Sequence, residues 1–184
     1  MIAKIISLLK SNYSTSEFAE KNGKDPYKVL ISCILSLRTK DETTYPASKR
    51  LFKLAKTPKQ MLKLAEKQIR KAIYPVGFYR TKAKTIKDIS ARLFKDYNSK
   101  VPDTVEELLK FKGIGRKTAN IVVTFGYGLP GLAVDTHVHR ISNRIGWVRT
   151  KAPEETEFAL KKKIPKKYWI MLNELLVRPA GAAA

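Results

Sequence analysis

The stretch Val105-Glu-Glu-Leu-Leu-Lys-Phe-Lys-Gly-Ile-Gly-Arg-Lys-Thr-Ala-Asn-Ile-Val-Val-Thr-Phe-Gly126 decides how the rest of the chain is read. Asp103-Thr104-Val105-Glu106 reads as a capping box at the start of a helix, and Leu108, Leu109 and Phe111 follow as its apolar face. Two glycines around Ile114 then let the backbone turn sharply and come close to a ligand. A second helix begins near Arg116, so its free amides point outward and favour a phosphate. Ile114, between the glycines, is placed to anchor the turn in the core. A lone Gly-x-Gly is weak. With an amphipathic helix before it and Arg-Lys-Thr-Ala after it, the pattern reads as a helix-hairpin-helix, a sequence-neutral reader of the DNA backbone. The alternative is an ordinary αα-hairpin with no ligand.

Outward from this segment the periodicity is helical almost everywhere. Residues 26–37 read as a buried helix and 43–55 as another, with Ala47, Leu51 and Leu54 on one face. Thr57-Pro58 starts a third, Thr capping and Pro in the first turn. A short helix covers 68–74 and is broken by Tyr74-Pro75-Val76-Gly77. A long amphipathic helix runs from about Thr81 to Tyr97, with Ile86, Ile89 and Leu93 at helical spacing. No useful two-residue alternation occurs, so the expected fold is all-α.

The charge is one-sided: 37 Lys and Arg against 16 Asp and Glu give a formal +21 over 184 residues. That excess implies a polyanionic partner, with nucleic acid first; a solvated lysine-rich surface of a heat-stable protein is the other reading. Cys33 is the single cysteine, set in the apolar run 29–35, and reads as a buried, inert thiol. With no internal disulfide available, nothing argues for secretion. No apolar stretch approaches the roughly 20 residues of a membrane helix. Residues 1–10 read as a short amphipathic helix, and no signal peptide is expected there because Lys4 and Ser7 break the apolar run. The closing Pro179-Ala-Gly-Ala-Ala-Ala184 is unlike the rest and is set aside.

Beyond the hairpin, a Gly/Pro loop from Gly126 leads into Ala133-Val134-Asp135-Thr136-His137. Asp135 alone would be an N-cap. His137 and His139, two apart on a helix, face different sides, so a metal site from that pair is not expected.

Taken together, Gly-Ile-Gly-Arg-Lys-Thr-Ala-Asn and Ala-Val-Asp-Thr-His resemble the endonuclease III family, within the helix-hairpin-helix and Gly/Pro-Asp superfamily of DNA glycosylases. Weaker matches lie upstream, in Leu35-Ser36-Leu37-Arg38-Thr39-Lys40-Asp41 and Val76-Gly77-Phe78-Tyr79-Arg80-Thr81-Lys82-Ala83, so the similarity spans roughly Lys28 to Val177. The resemblance implies two helical lobes, 21–130 as a helical barrel and 1–20 with 131–184 as the second, with the active-site groove between them. It also implies that Lys117 is the catalytic lysine and Asp135 the catalytic aspartate. Lys117 would attack the sugar C1′ as the base leaves, and loss of a 2′ proton would then expel the 3′ phosphate. An attacking amine must be neutral, and the helix start and Arg116 beside it are expected to disfavour the ammonium. Asp135 would oppose this if it paired closely; its implied role is to stabilise positive charge developing on the sugar. A simple phosphate contact is the bland alternative for Lys117.

A base cannot be reached inside the stack, so it must flip out and the gap must be filled. The resemblance puts Phe78 at the position of an apolar wedge, and Arg38 where many members carry glutamine facing the orphaned base. Phe78 as core and Arg38 as a phosphate contact are the alternatives. Tyr79, Arg80 and Lys82 are expected to edge the DNA groove, and Thr39, Lys40, Gly113, Ile114, Gly115, Arg116, Thr118 and His137 to contact DNA. Lys112 stands where members often have proline. Many members also hold a 4Fe-4S cluster on four cysteines near the C-terminus. None is present here, so no cofactor is expected of this chain; either this branch lacks the cluster or the sequence stops short of it.

The resulting expectation is a bifunctional glycosylase and abasic-site lyase, a DNA-associated intracellular monomer removing oxidised pyrimidines from damaged duplex. Its rivals are the same machinery with another base choice, a non-enzymatic DNA-binding module, and a ribosome-associated basic protein.

Overall fold

The computed structural model describes residues 5–6 and 24–181. Among them the elements are helical throughout: α1 Pro26–Ser36, α2 Asp41–Leu54, α3 Pro58–Lys63, α4 Glu66–Ile73, α5 Tyr79–Asp96, α6 Val105–Leu109, α7 Arg116–Ile121, a π turn Val122–Gly126, α8 Thr136–Arg144, α9 Pro153–Lys163, a 3-10 turn Lys166–Tyr168 and α10 Trp169–Gly181. The all-α expectation holds.

Asp25 caps α1, accepting from the Tyr27 and Lys28 amides at 3.0 and 3.1 Å, with Pro26 in the first turn. A helix buried on nearly every side must be apolar all round. Val29, Leu30, Ile31, Ile34 and Leu35 meet that need, and α1 packs against α2, α5, α7 and the π turn. Each such side chain contributes about 1.5–3 kcal/mol on leaving water. The first core gathers around it, with Leu51, Met61, Ile69, Ile86, Leu93 and Phe111. A second core holds Leu132, Val134, Val138, Trp147, Leu160, Trp169 and Leu172, together with Ile6. The chain passes from one to the other between Val123 and Leu132. Of the expected helix over 1–10, only Ile5 and Ile6 lie within the described residues.

Several helix ends differ from the sequence reading. Helix α5 starts two residues before Thr81, because Val76 O and Phe78 O accept the Tyr79 and Lys82 amides at 3.1 and 2.9 Å. The cap of α6 is Thr104, whose hydroxyl accepts the Glu107 amide at 3.4 Å, so the expected box led by Asp103 is displaced by one residue. Its return arm is missing: the Glu107 carboxylate accepts from the Tyr97 hydroxyl at 2.9 Å and pairs with Lys110. The π turn was not foreseen. It ends at Gly126, where a Cβ would lie 2.9 Å from Cα of Pro26, so the close seat on α1 requires glycine.

Candidate active site

Two turns set the chemistry. The first is the hairpin between α6 and α7. Gly113 adopts φ +89°, a conformation that side chains resist, and Ile114 turns inward to the first core. Gly115 precedes α7, leaving Lys117 in its first turn. The second turn is the start of α8. There Oδ1 of Asp135 accepts the His137 and Val138 amides at 3.0 and 2.9 Å, while Oδ2 accepts from Lys117 Nζ at 2.9 Å. One carboxylate oxygen is thus fixed to backbone and the other to the amine. The lysine side chain remains 45% exposed and the aspartate 14%. Burial raises the Asp135 pKa, but the Val138 amide and the Lys117 ammonium more than offset it and hold the carboxyl below the usual range.

The loop joining the two turns is stapled by asparagines that the sequence reading did not single out. Asn120, fully buried, donates to Arg116 O at 3.1 Å and accepts the Leu132 amide at 3.0 Å. A Cβ at Gly131 would come within 2.4 Å of the Thr124 hydroxyl and 2.8 Å of Asn120 O, so only glycine lets the loop lie this close to α7. Asn173 from α10 donates to Ala133 O at 3.0 Å and supports the Asp135 carboxylate. Asn120 lies inside the quoted motif, and that was its only signal. Asn173 carries no local signal, since its partners lie about 40 residues upstream.

Beside the ion pair is a cavity of about 210 Å³ whose walls include Ser36, Asp41, Tyr45, Lys117, Phe125 and Asn173. It lies between α1, α2, the π turn and the second core. Cys33 sits in its wall, buried as expected, with burial pushing the thiol up to about 12 against the opposing charge of Lys117.

Three side chains expected at the DNA are held within the protein instead. Arg116 is bound to Glu157 of α9 in a bidentate pair, 3.0 and 2.9 Å, and stacks on Phe158. Glu157 is 2% exposed and also accepts from Lys161 at 2.6 Å. The Arg116 charge is therefore paired with a buried carboxylate where it sits. Thr118 is buried and presents no side chain to solvent. Lys82, expected at the groove edge, is buried instead: its Nζ donates to Leu35 O, Leu37 O and Thr39 Oγ1 at 2.7, 2.6 and 3.1 Å. Burial lowers its pKa to about 8.

Arg38, Lys40, Phe78, Arg80, Gly113, Gly115 and His137 are exposed, and Thr39 and Tyr79 half-buried. The Arg38 guanidinium carbon stands 6.0 Å over the Phe78 ring. Phe78 is 64% exposed, so its reading as core is set aside. His139 bonds Thr156 at 2.6 Å, and among the described residues no three His, Cys, Asp or Glu converge to hold a metal. A four-thiolate cluster does not fit the donors present, since Cys33 is the single cysteine and is enclosed in the first core.

Fold and site define a helix-hairpin-helix protein with a lysine–aspartate pair beside a base-sized cavity. A family model described as HhH-GPD superfamily base excision DNA repair protein matches residues 31–166. Endonuclease III of Thermotoga maritima is 53% identical over 153 residues, covering 83% of this chain and 72% of that protein. Endonuclease III-like protein 1 of Gallus gallus is 44% identical over 154 residues, 82% of this chain and 55% of that one. This chain therefore spans about half the length of the vertebrate relative. A solved structure of a trapped endonuclease III–DNA covalent intermediate matches with TM-score 0.82 at 33% identity, over 96% of this chain and 83% of that one. The chain belongs to the endonuclease III family of base-excision DNA repair proteins, whose activity is that of a bifunctional DNA glycosylase and abasic-site lyase. Among the described residues no helix is long and apolar enough to cross a membrane.

Proposed function

We propose that this enzyme removes oxidised pyrimidines from duplex DNA and nicks the strand by β-elimination, with Lys117 as nucleophile and Asp135 as its electrostatic partner. The observation that carries the reading is the 2.9 Å Lys117–Asp135 pair beside the 210 Å³ cavity. The resting lysine is ion-paired, so its proton must leave to solvent before attack, while Asp135 keeps its charge. The amine then forms a bond to C1′ as the C1′–base bond breaks, and the bonding pair departs with the base, which takes up a proton. Asp135, held ionised, faces the positive charge that develops on the sugar. Ring opening gives the protonated imine. Loss of a 2′ proton then expels the 3′ phosphate, and water releases the sugar fragment from Lys117.

In this reading the two cores are two lobes that meet at the cavity. Phe78 and Arg38 enter the duplex at the flipped base, while the hairpin backbone at Gly113 and Gly115, with Lys40, Arg80 and His137, contacts flanking DNA. The protein acts as a DNA-associated intracellular monomer. The test uses duplexes carrying thymine glycol, 5-hydroxycytosine or 8-oxoguanine, with an undamaged control. Base release with strand scission is expected on the two pyrimidine lesions. A preference for 8-oxoguanine, or base release without scission by active protein, would overturn the reading.

A further inference from the structure

Lys82 is a buried ammonium with no place in the chemistry above, and burying an ammonium costs several kcal/mol before its acceptors are counted. Its three hydrogens meet three acceptors: Leu35 O, Leu37 O and Thr39 Oγ1. The two carbonyls belong to the C-terminal end of α1 and the residue after it, where helix carbonyls lack partners and the dipole is negative. Lys82 itself lies on α5, four residues beyond Phe78. It therefore bonds the turn that carries Arg38 from the helix that Phe78 precedes.

The same two turns meet again a few ångströms away. Gly77 N donates to Thr39 Oγ1 at 3.2 Å, and a Cβ on Gly77 would sit 3.0 Å from Arg38 O. Arg38 and Phe78 are both left-handed, at φ +52° and +56°, a conformation that ordinary side chains hold only when their surroundings impose it. One carbonyl next to each of these side chains is engaged by Lys82: Leu37 O by its Nζ, and Phe78 O by its amide at 2.9 Å.

We propose that Lys82 is a positioning residue that joins the 37–40 and 74–78 turns into one rigid edge, so that Arg38 and Phe78 enter the duplex together at a fixed spacing. This rests on the insertion of those two residues proposed above. A lysine kept for stability alone would be a poor choice here, because an apolar side chain fills buried space without the desolvation cost. The ammonium fixes the directions of three oxygens, which a methylene chain cannot do.

The experiment uses a duplex with a tetrahydrofuran abasic analogue, which cannot form a Schiff base, and 2-aminopurine in the opposite strand at that site. Fluorescence is read at saturating protein, so weakened affinity or lower stability does not move the amplitude. Wild-type protein should raise it, and Phe78→Ala and Arg38→Ala should lose most of the rise. Lys82→Met should lose as much as Phe78→Ala does. Thr39→Val, which removes one shared acceptor, should lose part of it and decides the matter if Lys82→Met does not fold. The rate of borohydride trapping on duplex abasic DNA, relative to single-stranded abasic DNA, should fall in Lys82→Met on the order of a hundredfold. Full amplitude in Lys82→Met and Thr39→Val beside loss in Phe78→Ala would overturn the clamp. Full amplitude in Phe78→Ala and Arg38→Ala would instead overturn insertion, and the clamp with it.

Discussion

Asp135 holds three donors on two oxygens, which ties its charge to the position of the amine. Asp135→Asn keeps the cap but removes the charge, and should lower lyase turnover about 10²–10³-fold while leaving abasic duplex affinity nearly unchanged. Single-turnover kinetics beside equilibrium binding would check this. Glu157 is another depressed carboxyl: burial raises it, but Arg116 and Lys161 outweigh burial. A carboxyl whose folded pKa lies below its unfolded value contributes stability that is present above the unfolded pKa, about 4, and lost as pH falls through the folded one. The urea midpoint of wild type should therefore fall steeply below about pH 4, and less steeply in Glu157→Gln. At neutral pH that variant leaves Arg116 and Lys161 without their shared carboxylate and should cost about 3 kcal/mol, seen as a lower midpoint at constant slope. At this scale, the two residues of the 2.9 Å Lys117–Asp135 pair were legible because each sits in a short local pattern. Lys82 was misread for the opposite reason: what buries it are carbonyls more than forty residues upstream, which no local pattern records.

Helix α7 and its hairpin hold Lys117 by backbone geometry, and the two glycines do different work. Gly113 needs φ +89°, so Gly113→Ala should cost about 1–2 kcal/mol and lower the melting temperature. Gly115 has φ −96°, and a Cβ there would meet nothing within 4 Å. Gly115→Ala should therefore melt within about 0.5 kcal/mol of wild type. It should still bind abasic duplex more weakly if the proposed hairpin contact holds, because the added methyl would stand between backbone and phosphate. Wild-type affinity in that variant would argue against a hairpin contact. Helix existence was legible along most of the chain from apolar spacing, as Ile86, Ile89 and Leu93 of α5 show. Helix ends were less so. The α6 cap is Thr104 without a return arm because Tyr97 and Lys110 take the Glu107 carboxylate, and the π turn depends on the fit of Gly126 against Pro26.

Over the whole molecule, a formal charge of +21 accompanies two cores with the lysine–aspartate pair and its cavity beside their junction. Each phosphate neutralised adds about −0.9 to the slope of log K against log salt. Lys112, exposed in the hairpin, should account for one of these, so Lys112→Ala should flatten the slope by about 0.9 without changing lesion preference. The one-sided charge pointed to a polyanion from composition alone. The most direct test of the chemistry is borohydride reduction on abasic duplex followed by peptide mapping of the adduct. A covalent adduct mapping to Lys117, absent in Lys117→Ala, is the expected result. No adduct from lyase-active wild type, or an adduct on another lysine that persists in Lys117→Ala, would contradict it.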